Sequence, residues 1–144
     1  MIIVKRGVVL LVPLTGIVGL QTWPALSAND PVRLTFDKAA VAAGAWEGTI
    51  SGDIEGTLQT VLLTVDETGP IWHVTFDRII GSGDRSFTAR LDGVLNRQTG
   101  AVVMDGTVTE GYLLGARVHE TGQLADAATS RFTGSITVFL AAQG

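Results

Sequence analysis

Apolar and polar residues alternate with a period of two along most of this chain, from Val32 to Leu140. Side chains in a strand point to opposite faces in turn, so such alternation predicts strands with one buried face. Val32, Leu34 and Phe36 alternate with Arg33, Thr35 and Asp37, and Lys38 to Ala45 then reads as a helical turn or a loop. Further strands are predicted over Trp46–Ser51, Ile54–Val65, Ile71–Ile80, Arg85–Leu95, Ala101–Thr109, Tyr112–Leu124 and Arg131–Leu140. Turn residues separate them, among them Gly52-Asp53, Asp66 to Pro70, Gly81 to Asp84 and Asn96 to Gly100. In Ile54–Val65 the apolar phase changes face between Leu58 and Val61, which predicts a bulge near Thr60. No helical periodicity competes after residue 46. Short connections favour antiparallel neighbours in a meander.

Six glycines sit midway between two residues of one strand face: Gly48, Gly56, Gly93, Gly106, Gly122 and Gly134. A glycine inside a strand is unfavourable unless bending or close backbone approach requires it. Repeated on the inward face, glycines fit a small, strongly coiled barrel. The expectation is an all-β domain, a single antiparallel meander barrel of about eight strands, with a two-sheet sandwich as the alternative. Outward runs such as Ser86/Thr88/Arg90/Asp92 are polar, the reverse of a transmembrane barrel. Val61 to Val65 is apolar on both faces, which predicts cover by a partner subunit, as in a homo-oligomer, or by the segment Lys38–Ala45.

The first 28 residues read differently. Lys5 and Arg6 precede an uncharged apolar run from Gly7, and Ala25-Leu26-Ser27-Ala28 offers small residues for cleavage. This is the layout of a secretory signal peptide, with an uncleaved anchor as the alternative. The expected organisation is a signal peptide over 1–28 and a barrel over 29–144, exported to a secreted or periplasmic location without stable membrane insertion after cleavage. The chain has no cysteine, so neither disulfides nor thiolate metal sites stabilise it. Beyond Ala28, eight basic side chains against fourteen acidic ones leave a net charge of −6, and nucleic acid is not an expected partner.

Two charges fall on the inward face. Arg78 continues the phase of Trp72, Val74 and Phe76; Glu120 continues that of Leu114, Ala116 and Val118. A buried charge is costly unless paired, so the two would form an ion pair orienting a ligand, or sit near wet strand ends. Glu120 and Tyr112 are the candidate proton-transfer groups, Tyr112 placed at the cavity mouth or capping the core with its hydroxyl in water. Arg78 with Trp46, Trp72, Phe76 and Phe87 would line a ligand site. His73 and His119 fall on the polar face, and no metal-ligand spacing or cofactor motif is present. Neither a nucleophile elbow nor a phosphate-binding loop occurs.

The stretch Trp46-Glu47-Gly48, Gly52-Asp53-Ile54-Glu55-Gly56, Gly93, Gly106, Gly111-Tyr112-Leu113-Leu114-Gly115 and Phe132-x-Gly134 resembles small bacterial barrels of the allene oxide cyclase-like and lipocalin-like kind. It spans roughly residues 46–138 and rests on glycines and turns. The resemblance implies a barrel with an apolar cavity, and members include cyclases. No catalytic motif of those cyclases matches residue by residue. Three functions follow as expectations. One is binding of a small apolar or amphipathic molecule. The second is an isomerase or cyclase using Glu120 or Tyr112 with Arg78. The third is a scaffold with a filled core.

Overall fold

β-Branched and aromatic residues at alternate positions, broken by Gly, Asp and Asn, favour strands joined by tight turns. A computed structural model describes residues 30–140 and shows eight of them. In chain order they are β1 (Val32–Ala42), β2 (Ala45–Gly52), β3 (Gly56–Asp66), β4 (Ile71–Gly81), β5 (Phe87–Asn96), β6 (Ala101–Gly111), β7 (Arg117–Asp126) and β8 (Arg131–Phe139). Each pairs antiparallel with the next, and β8 returns to pair with β1, Val32 opposite Val138 and Lys38 opposite Phe132. The result is a closed eight-stranded meander barrel, not a two-sheet sandwich. At this coarse level the architecture is consistent with a lipocalin-like fold. The expected signal peptide, residues 1–28, lies outside the described residues.

The inward glycines explain how so small a barrel closes. A Cβ on Gly106 would fall on the carbonyl oxygen of Arg90, and one on Gly134 on that of Thr121. The neighbouring backbone occupies the space a side chain would need, so only glycine permits this strand spacing. On the outer face, cross-strand pairs are polar. Arg90 donates to both oxygens of Asp77 directly opposite it, and Thr75 donates to Asp92. Arg131 grips Asp37 in the same bidentate way.

The two ends differ. Leu34, Ile50, Ile54, Leu58, Ile80, Phe87, Val108 and Val138 are buried together at one end, closing it as an apolar plug. The other end carries the turns after β1, β3, β5 and β7 and opens into a cavity.

Three local expectations are corrected. Lys38–Ala45 is neither loop nor helical turn: β1 runs through Ala42, the turn is only Ala43-Gly44, and Gly44 has φ of +73°. The shift in β3 lies between Leu62 and Thr64 instead of at Thr60, because Thr60 itself faces inward and is buried. Leu62, not Val61, therefore packs on the core, and Val61 and Leu63 stay exposed with no β1 segment over them. Finally, Tyr112–Ala116 is a turn. Gly111 and Gly115 both have positive φ, and the carbonyl of Leu113 accepts from the N–H of Ala116 at 3.0 Å, so β7 begins at Arg117.

Candidate functional site

The cavity at the open end holds about 320 Å³, near the lower limit of small-molecule sites, which span roughly 300–1,000 Å³. Its wall is mostly apolar: Phe36, Trp46, Trp72, Phe76, Leu95, Val102, Leu124 and Phe132 all line it. Strand alternation puts them there. Trp72, Val74, Phe76 and Arg78 are successive inward positions of β4, running from mouth to floor. Gly122 adds room, since a Cβ there would meet the ring tip of Phe36 at 3.2 Å. Trp46 is fixed at the rim, its indole N–H donating to the Ser130 carbonyl at 3.1 Å and its ring meeting Phe76 edge-on. At the mouth the Arg97 guanidinium lies 4.1 Å from the ring centre of Trp72.

The floor is an ion pair spanning the barrel. Arg78 on β4 donates from Nε to Glu120 Oε1 at 2.6 Å and from Nη2 to Oε2 at 2.7 Å, across to β7. Its Nη1 donates to Thr60 Oγ1 on β3, also at 2.6 Å. Both charged side chains are 1 % exposed. Ala89 stands opposite Arg78 in the register, and its short side chain leaves the guanidinium space to cross. The bidentate geometry gives each charge its counter-charge and hydrogen bonds, the condition under which such a pair is tolerated away from water.

One group has no such partner. Lys38, the only lysine among the described residues, points inward from β1 and is 5 % exposed. It follows Leu34 and Phe36 in phase, opposite Gly48 and Phe132. Among the described residues it makes no ion pair. Instead its Nζ lies 5.4–5.8 Å from the ring centres of Phe36, Trp46, Phe76 and Phe132. Burial, reinforced by the nearby Arg78 charge and only partly offset by Glu120, lowers its pKa from 10.5 to about 7. Desolvation disfavours the charged amine.

Of the candidate residues read from the sequence, Arg78, Glu120, Trp46, Trp72 and Phe76 meet at this cavity. Phe87 and Tyr112 do not. Phe87 is buried in the closed-end plug, and Tyr112 lies in the turn after β6 at that same end, half-exposed, its N–H donating to the Ser86 carbonyl. Tyr112 is removed from the mouth because the Gly111–Gly115 turn redirects the chain. Lys38, Thr60, Phe36 and Phe132 were missed. Extending the Val32/Leu34/Phe36 alternation by one step brings Lys38 inward, and that signal was available. His119 pairs with Asp105 on the outer face at 2.7 Å, and no group of three or more metal-ligating side chains occurs among the described residues.

The chain matches no protein-family model, no curated protein and no solved structure.

Proposed function

We propose that this barrel binds a small apolar or amphipathic molecule in the open-end cavity, with the ligand's polar group directed inward to Lys38. The observation that carries this reading is an aromatic-lined space of about 320 Å³ with a buried amine, Lys38, on its wall that forms no ion pair among the described residues. Apolar pockets with few, well-placed polar groups are the usual form of small-molecule sites. A filled core, the mark of a pure scaffold, is confined to the closed end. With the export signal read over residues 1–28, the proposal is an exported carrier.

The isomerase or cyclase reading has less support. Both oxygens of Glu120 are engaged by Arg78, and Tyr112 stands at the opposite end of the barrel. The binding reading is tested by titrating the full chain with N-phenyl-1-naphthylamine, an apolar probe whose emission rises out of water. Saturable binding is expected, with quenching of tryptophan emission. Leu95→Phe and Val102→Phe, which add volume inside the cavity, should each abolish it while circular dichroism stays unchanged. Absence of saturable binding by the unaltered chain overturns the reading, as does undiminished binding by both folded variants.

A further inference from the structure

Lys38 adds a chemical possibility that containment alone does not use. Its amine lines the cavity yet has no carboxylate to hold it. The nearest buried carboxylate, Glu120, is closed on Arg78 through two hydrogen bonds. The four surrounding rings supply only π-faces. An amine in this position is sheltered from water, approached from one side, and flanked by surfaces suited to a flat, conjugated ligand.

We propose that Lys38 is a covalent anchor, its Nζ condensing with the carbonyl carbon of a small apolar aldehyde or ketone to form an imine in the cavity. This rests on the binding reading above. In the first step the nitrogen lone pair forms the C–N bond as the carbonyl π bond breaks. One N–H proton passes to the oxygen, giving a carbinolamine. The hydroxyl then leaves with the remaining N–H proton as water, and C=N is formed. No oxidant or reductant is required.

Three features favour this chemistry over simple capture of a carboxylate. Attack needs the neutral amine, and burial with the Arg78 charge nearby drives Lys38 toward it at neutral pH. A carboxylate at that depth would find the Arg78 fork already occupied and would have to lose its own hydration for one ammonium. The carbonyl oxygen, in contrast, departs as water and leaves no buried anion. If the imine takes up a proton, the cation meets the same aromatic faces that surround Nζ.

The chain makes the test clean, because Lys5 is its only other lysine. The full chain is incubated with cinnamaldehyde and sodium cyanoborohydride at neutral pH, and modified sites are mapped by peptide mass spectrometry. N-phenyl-1-naphthylamine binding is measured on the same preparation. Lys38 should be labelled at least about tenfold faster than Lys5, since a buried amine of lowered basicity stays reactive where an ordinary lysine is protonated. The naphthylamine should suppress labelling of Lys38 while leaving that of Lys5 unchanged, and Lys38→Met should lose the Lys38 label. Probe binding with Lys38 labelled no faster than Lys5 overturns the imine and leaves the carrier reading intact. Octanoate displacing the probe in a Lys38-dependent manner, without aldehyde trapping, overturns it in favour of an ion pair. If neither probe binding nor Lys38 labelling occurs, both readings fall.

Discussion

Replacing Lys38 by Met should stabilise this protein at neutral pH, by an amount that shrinks as the pH rises. Met has similar length and no charge to desolvate. In the unfolded chain Lys38 titrates near 10.5, and in the folded barrel near 7. Between those values the unfolded state holds a proton that the native state does not, so stability rises with pH across that window. Below about pH 7 both states are protonated and the full burial cost is present. Taking 1.36 kcal/mol for each pKa unit, the cost at pH 7 is about 4 kcal/mol and fades to below about 1 kcal/mol at pH 10.5. The stability difference between Lys38→Met and the unaltered chain should therefore fall by about 4 kcal/mol over that range. Urea unfolding of both proteins, followed by circular dichroism at pH steps from 6 to 10.5, measures it, and groups titrating equally in both proteins cancel. A difference that changes by less than about 1 kcal/mol would refute the argument, because it would mean that Lys38 keeps its proton when buried.

Other substitutions probe the floor, the coiling and the surface. Arg78→Met or Glu120→Gln alone leaves one buried charge without its partner and should cost about 3–5 kcal/mol in urea unfolding. The double variant Arg78→Met/Glu120→Gln should cost less than the sum of the two, a coupling that a double-mutant cycle reads directly. Glu120 is also the group that raises the pKa of Lys38, so Glu120→Gln should move the pH midpoint of Lys38 reductive alkylation downward. Gly106→Ala drives a methyl group into the Arg90 carbonyl and should cost about 3 kcal/mol or more, or prevent folding, as seen in the yield and thermal melt. Arg131→Ala breaks a bidentate pair with Asp37, but both side chains are about half exposed. Its urea midpoint should stay close to that of the unaltered chain, and closer still in high salt.

The barrel was legible because its determinants are local and periodic. Alternation placed Leu34, Phe76, Leu91, Ile136 and Val138 inward, and the glycines at 48, 93, 106 and 134 marked the sites where backbones approach. What failed to show depended on single-residue shifts. The extra residue in β3 falls at Leu63, after Leu62, so Leu62 keeps the inward phase of Leu58 and Thr60 with Val61 and Leu63 outside, and only from Thr64 on does the phase reverse, setting Val65 opposite Val74. The turn bracketed by Gly111 and Gly115 takes Tyr112 and Leu114 out of a phase that reads inward on paper. The meeting of Arg78 with Glu120 required the full register from β4 through β7, which no local pattern contains. Lys38 was obscured by composition: the Ala-rich stretch that follows it reads as a loop, although the preceding alternation already carried it inward.

The two buried cationic side chains stand in different relations to folding. Arg78 has its charge answered by Glu120 and a further donor answered by Thr60, and the three residues tie β3, β4 and β7 together beneath the cavity. The strut separates the apolar plug from the open end and is accounted for by architecture. Lys38 is not. An apolar residue at that position would fill the same space among Phe36, Phe76 and Phe132 without the desolvation cost. Nor does its charge brace the strands, since among the described residues it forms no ion pair. Residues that oppose stability while facing an open cavity are found where function requires them. Burial cost, aromatic surround and access through one mouth thus converge on a single nitrogen, and the chemistry of the site is sought there instead of at the more conspicuous ion pair below it.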